Sequence, residues 1–138
     1  MFDRTLECSL KFANSPQDYE YAEQPLKDEP KAAKFYIDML LGLFDAEAQS
    51  HRDFDEPIPV EGYTIKVNHE GIWLKIIQKG DNNLVWGNVK NAIAVMKRYY
   101  QQISETSTYQ LEVAILHGAY PEGYVRMVKP FRGCSNVE

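Results

Sequence analysis

Residues 86–129 read WGNVKNAIAVMKRYYQQISETSTYQLEVAILHGAYPEGYVRMVK, and this stretch decides the fold. From 86 to 103 the apolar residues recur at helical spacing, which predicts an amphipathic helix. Its apolar face carries Val89, Ala92, Ile93, Met96, Tyr99, Tyr100 and Ile103. Its polar face carries Lys90, Asn91, Lys97, Arg98, Gln101 and Gln102, and we expect the charged residues of this face to stay in water. Two strand-like runs follow, at 109–117 and 124–129, and the loop 118–123 between them predicts an antiparallel hairpin.

The same order of a helix followed by a hairpin occurs earlier in the chain, without sequence identity between the two copies. Asp28, Glu29 and Pro30 are typical of a helix start, and the spacing predicts a helix over 31–47. Its apolar surface extends almost all the way round, because Phe35, Met39 and Leu43 lie outside the face formed by Ile37, Leu40, Leu41 and Phe44. Such a helix is buried on several sides or docks a partner. Alternation then predicts a hairpin over 63–79 that turns at 69–71.

The amino-terminal residues supply one further strand. Residues 5–12 alternate strictly, with Leu6, Cys8, Leu10 and Phe12 on one side, which predicts a half-buried strand. Residues 13–30 and 49–62 show no period and are interpreted as long connectors. The sequence therefore predicts a single α+β domain in the order β-α-β-β-α-β-β, with a five-stranded antiparallel sheet covered by two helices.

Composition and charge exclude several classes of function. The chain has 138 residues, 44% of them hydrophobic, and a formal net charge of −5. Residues 1–61 contain 14 acidic and 6 basic residues, which disfavours nucleic acid as a partner because phosphate binding needs clustered Lys and Arg. No apolar run approaches the ~18 residues of a membrane span, so no membrane partner is expected. The start lacks a secretory signal, which as written favours the cytoplasm; a processed mature form would favour secretion.

Catalytic and metal-binding motifs are weak in this sequence. His69 and His117 are the candidate general bases, since histidine titrates near neutral pH, but no nucleophile motif accompanies either of them. The acidic segment 51–56 contains oxygen ligands but lacks the glycine and the distal glutamate of a calcium-binding loop. We therefore expect no metal and no cofactor.

Aromatic residues in predicted loops are the candidate binding residues: Tyr19, Tyr21, Phe54 and Tyr120. Tyrosine combines apolar area with a polar end, which suits interfaces. Two alternatives stay open for these side chains. They dock onto their own domain, or they contact a partner.

The segment 84–127 also resembles a known group of proteins. A Trp-Gly pair opens the helix at Trp86, an aliphatic hairpin follows, and Gly123 precedes the last strand. In these features the chain resembles small uncharacterised fungal proteins of the effector-like, killer-toxin-like α/β-sandwich type. The resemblance implies an α/β sandwich and assigns a function to no residue of this chain.

These observations favour a non-enzymatic interaction protein that acts on another macromolecule through an acidic, aromatic surface. The partner is expected to be a protein, and a second copy of the chain in a homodimer is one possibility. The alternative is a small enzyme or small-molecule-binding protein with a pocket between helix 31–47 and the sheet.

The two cysteines provide a first test. Cys8 lies on the apolar side of the predicted strand, and Cys134 lies in a polar, glycine-containing tail, so we expect two free thiols. Intact mass with and without a reductant should then be identical. An increase in mass on reduction would indicate a disulfide and would favour a secreted protein.

Overall fold

The computed structural model describes residues 19–50, 53, 55–59, 63–66, 73–79, 84–118 and 120–128. In chain order its elements are β1 (Tyr19–Pro25), β2 (Ala32–Ala33), α1 (Lys34–Gln49), β3 (Tyr63–Lys66), β4 (Trp73–Gln78), α2 (Trp86–Gln101), β5 (Ser107–Thr108), β6 (Leu111–His117) and β7 (Tyr120–Val128). Neither described helix has the length and apolar character needed to cross a membrane.

Five strands form one antiparallel sheet in the order β1-β6-β7-β4-β3. The short strands β2 and β5 pair separately and bring the start of α1 to the segment that follows α2. The predicted α+β architecture, with two helices and a five-stranded antiparallel sheet, is confirmed. One apolar core joins side chains from both helices and from all five strands of this sheet.

The first described strand lies at a different position from the strand that the sequence predicts. The predicted strand 5–12 lies outside the described residues, whereas β1 forms within the segment 13–30 that was interpreted as a connector. β1 pairs with β6 along its whole length, from Tyr19 opposite His117 to Pro25 opposite Leu111. Tertiary pairing therefore decides the conformation of this acidic segment, whose glutamates weaken its hydrophobic pattern.

Helix α1 begins and ends slightly later than predicted. Its first turn is displaced because Ala32 and Ala33 pair with Thr108 and Ser107 in extended conformation. The helix packs along α2 and buries Ile37, Leu40, Leu41, Phe44 and Ala48. An ion pair between Lys97 Nζ and Asp45 Oδ2, at 3.4 Å, joins the two helices at the edge of this contact.

Helix α2 packs over β1, β6 and β7, and its predicted apolar face is buried except for Tyr99 and Ile103, which are partly buried. The expectation that Lys90 stays in water is wrong, since its exposed fraction is 8%, and the neighbouring Asn91 is 9% exposed. The first half of α2 is buried on all sides. The second connector crosses its start, where Ile58 N donates to Leu84 O and Trp86 N donates to Glu56 O, both at 3.0 Å.

The last hairpin is tighter than predicted. β7 begins at Tyr120, so most of the segment 118–123 is strand rather than loop. Gly118 has a φ of 67°, a left-handed conformation that glycine adopts without strain, and it allows the chain to turn immediately after β6. A shift in register between Ile115 and Leu116 then places His117 opposite Tyr120.

Ile93 provides a test of the packing of α2. The side chain is completely buried in the core, so Ile93→Ala should reduce the free energy of unfolding by about 2–5 kcal/mol. Ile93→Asp should prevent soluble expression, because it buries an unpaired charge. Urea titration measures the first change, and soluble yield with circular dichroism measures the second.

Lys97→Ala is the matched control on the same helix. Its side chain is 41% exposed and its pairing with Asp45 is worth about 0–1 kcal/mol. A larger loss of stability in Lys97→Ala than in Ile93→Ala would show that the buried face of α2 is assigned incorrectly.

Candidate functional site

Three of the predicted site residues lie side by side at one end of the sheet. Tyr19 begins β1, His117 ends β6 and Tyr120 begins β7. In the strand register, His117 is opposite both Tyr19 and Tyr120. We call Tyr19, His117 and Tyr120 the aromatic row. Residues far apart in sequence thus form one aromatic row, because β6 lies between β1 and β7.

The rings of Tyr19 and His117 are stacked. Their centroids are 4.9 Å apart and their planes differ by 12°. Glu122 lies beside them, with its Oε2 atom 3.8 Å from His117 Nδ1, which is longer than a hydrogen bond. The Glu122 side chain is 18% exposed and the His117 side chain is 51% exposed. The site therefore combines a flat aromatic surface with a partly buried carboxylate.

Burial and the charge of Glu122 act on the phenol of Tyr19. Burial raises the pKa of Tyr19 above its ordinary value, and the negative charges of Glu122 and of an ionised Tyr21 raise it further. These effects favour the neutral phenol, which can both donate and accept a hydrogen bond.

Tyr120 is the most accessible member of the row. Its side chain is 75% exposed, as is that of Phe35 on α1, and these are the largest exposed fractions among the large hydrophobic side chains in the described part of the chain. The tight turn at Gly118 places Tyr120 at the first position of β7, at the end of the central strand of the sheet. A tyrosine in this position offers both ring faces and a hydroxyl to a partner.

The arrangement is suited to a cationic or aromatic side chain of another molecule. Ring faces attract guanidinium and ammonium groups, and a carboxylate that is partly removed from water strengthens that attraction. His117 remains a candidate base by residue type, but its ring is stacked on Tyr19 and no hydrogen bond joins it to Glu122. The geometry favours binding over proton transfer.

The other predicted site residues are not part of this row. Tyr21 is completely buried, and its hydroxyl oxygen accepts hydrogen bonds from Asn88 Nδ2 at 3.1 Å and from Asn91 Nδ2 at 3.2 Å. Of the two alternatives for Tyr21, docking onto its own domain is the one observed. Phe54 and His69 lie outside the described residues, as do Cys8 and Cys134.

The alternative function places a pocket between helix 31–47 and the sheet, and in this region α1 packs mainly on α2. The fully buried side chains of α1 are all apolar and belong to the common core. This face of α1 offers no acid, base or nucleophile. Among the residues that the structure describes, no cluster of histidine, cysteine, aspartate and glutamate could hold a metal ion.

Sequence reasoning missed Glu122 and the relation between the three ring residues. A usable signal was present in Tyr19-Glu20-Tyr21, where aromatic and acidic residues alternate with the period of a strand. The position of β1 beside β6 could not be predicted, because a single sequence does not show which strands pair. Without that pairing, Tyr19 and His117 are separated by most of the chain.

Comparisons with protein-family models, with curated proteins and with solved structures gave no match. The resemblance of the segment 84–127 to effector-like fungal proteins stays a prediction, as does the function it accompanies.

The raised pKa of Tyr19 predicts a loss of stability in alkaline solution. Because the folded state favours the neutral phenol, the contribution of Tyr19 to stability is complete below its ordinary pKa of 10.0 and is lost as the pH rises through the higher folded value. The free energy of unfolding should therefore fall above pH 10, with Tyr99 and Tyr100 acting in the same direction because burial raises the pKa of both. Urea titrations at neutral and alkaline pH measure this.

Tyr19→Phe keeps the ring and removes the ionisable group. The variant should lose less stability than the wild type over the same alkaline range. Equal losses in the two proteins would show that the environment of Tyr19 does not favour its neutral form.

Proposed function

We propose that this protein is a non-enzymatic interaction protein that binds another protein through the aromatic row and Glu122. The observation that carries the proposal is the 75% exposure of Tyr120 directly beside the stacked rings of Tyr19 and His117. Tyrosines flanked by partly buried polar groups are enriched among the residues that dominate binding energy in protein interfaces.

The charge of the site favours a basic partner segment. Glu122 Oε2 lies 3.8 Å from His117 Nδ1 of the stacked pair, and the whole chain has a net charge of −5. An arginine or lysine of the partner would contact the ring faces and the carboxylate at the same time. The negative field of the protein would also increase the rate at which a basic partner associates.

The strand pairing at the aromatic row supports this proposal. Tyr19 and His117 are held by the continuous pairing of β1 with β6, and Tyr120 is held at the start of a nine-residue strand. Binding would therefore cost little ordering of the backbone, which leaves more of the contact energy for affinity.

Co-purification from the native host, followed by mass spectrometry of bound proteins and small molecules, tests the proposal. Wild-type protein should retain a protein partner with basic segments, and Tyr120→Ala should lose it. In a titration with that partner, Tyr120→Ala should weaken binding at least about tenfold, which corresponds to about 1.4 kcal/mol. Glu122→Gln should weaken it mainly at low ionic strength.

Phe35→Ala is the matched control, because Phe35 has the same exposed fraction as Tyr120 but lies on α1. It should leave partner binding unchanged. A partner that binds Tyr120→Ala as tightly as wild type would refute the assignment of this surface. Retention of a small molecule without a protein partner would favour the alternative of a small-molecule-binding protein or enzyme.

A further inference from the structure

The sheet has an outer face, which points away from the helices, and this face is buried along β1 and β6. Side chains alternate between the two faces of a strand, and the opposed residues Tyr21 and Ile115 belong to the core that the sheet shares with the helices. The residues that alternate with them therefore point outward. Among these, Ala22, Ala114 and Leu116 form a separate apolar cluster with exposed fractions of 1%, 0% and 5%.

This burial requires a cover over β1 and β6. Ala22 lies on β1, an edge strand of the described sheet, where an outward alanine contacts water unless further chain packs on it. Both described helices contribute to the core on the opposite face. The exposed fractions are those of one chain by itself, so the cover belongs to the same chain.

A carboxylate on the same face marks the extent of the cover. Glu112 points outward from β6, two residues before Ala114, and its side chain is only 9% exposed. Arg126 Nε on β7 donates to Glu112 Oε2 at 2.8 Å, yet the Arg126 side chain is 42% exposed. Lys75, next to Arg126 on β4, is exposed as well. The cover therefore lies over β1 and β6 and leaves the β4 half of the outer face open.

We propose that residues 5–12 form this cover. The chain enters the sheet at Tyr19, the first residue of β1, which is the edge strand on the covered side. The six residues 13–18 lie between the two and can span up to about 20 Å. Packed layers are separated by only about 10 Å, so the segment reaches the outer face directly from β1.

The carboxyl-terminal segment 129–138 is less favourably placed. It follows Val128, which is opposite Trp73 on β4 and therefore lies beside the open half of the outer face. Leu116 is near the other end of the sheet, since it is opposite Glu20 in the register. The position of the buried cluster thus favours the amino-terminal segment.

The sequence of residues 5–12 fits a strand that is covered on one side only. Its apolar side chains recur at every second position, with polar ones between, so one side can pack on the cluster while the other stays in water. The apolar side consists of Leu6, Cys8, Leu10 and Phe12, and the polar side of Thr5, Glu7, Ser9 and Lys11. Docking of this segment shields the thiol of Cys8 from solvent.

The cover is independent of the proposed binding surface. Tyr19 and His117 lie two residues from Tyr21 and Ile115 on their strands and so belong to the helix side of the sheet, opposite the buried cluster. A failure of either proposal therefore leaves the other standing.

Alkylation of Cys8 in the full chain tests the proposal. The protein is reduced, freed of reductant, treated with N-ethylmaleimide for a series of times and analysed by peptide mass spectrometry. Cys8 in the folded wild type should react at least tenfold more slowly than Cys8 in protein unfolded by urea. Ala22→Arg should restore most of the unfolded rate, because a charged side chain beneath the segment displaces it.

Thr64→Arg is the matched control. Thr64 points outward from β3, the edge strand on the other side of the sheet, since it is opposite Lys75. The variant adds the same side chain to the same face and should leave Cys8 as slow as in the wild type. Circular dichroism and the thermal midpoint show whether each variant is folded.

Leu10→Ser is a second test that leaves the described sheet unchanged, and it decides the outcome if Ala22→Arg does not fold. Cys8 should react at least tenfold faster than in the wild type, with the circular dichroism spectrum retained. The proposal is overturned if Cys8 of the folded wild type reacts at the unfolded rate, if folded Ala22→Arg or Leu10→Ser leaves it slow, or if folded Thr64→Arg accelerates it equally. Hydrogen exchange that protects 129–138 and not 5–12 would assign the cover to the carboxyl-terminal segment and would also overturn it.

Discussion

The complete burial of the first half of α2 is the constraint on which the rest of the fold depends. A helix can be covered on every side only if several elements meet around it. Here the sheet lies on one side, α1 on another, and the connector containing Glu56 and Ile58 crosses the start. Polar residues in this half must then find partners inside the protein, because leaving a buried polar group unpaired costs about 1–3 kcal/mol.

Tyr21 provides a hydrogen-bond partner for two of these buried polar residues and thereby holds the edge strand β1 against α2. Its hydroxyl accepts from both Asn88 and Asn91, so the hydrogen bonds connect the edge strand β1 directly to α2. Pairing of β1 with β6 follows in a register that places Tyr19 against His117. The stacked rings at the end of the sheet are therefore a consequence of packing around α2.

The sequence predicted the elements that have strong periodicity and missed what depends on tertiary pairing. The buried face of α2 was readable because Val89, Ile93 and Met96 recur at helical spacing. The strand β1 could not be predicted, because its glutamates weaken the hydrophobic alternation and its conformation depends on pairing with β6. The burial of Lys90 could not be read either, because it requires knowing that a second layer covers the polar side of the helix. Of the candidate site, the residue types were predictable and their assembly into one row was not.

The two faces of α1 show how one helix can stabilise the fold and still leave apolar side chains in water. Ile37, Leu40 and Phe44 are completely buried, and they account for the stability that the domain gains from this helix. Exposing Phe35, Met39 and Leu43 adds nothing to that stability, and a soluble domain gains solubility by placing charges at such positions. Folded proteins commonly leave apolar side chains in water, and these three remain exposed because α1 packs mainly on α2, which covers one face of the helix.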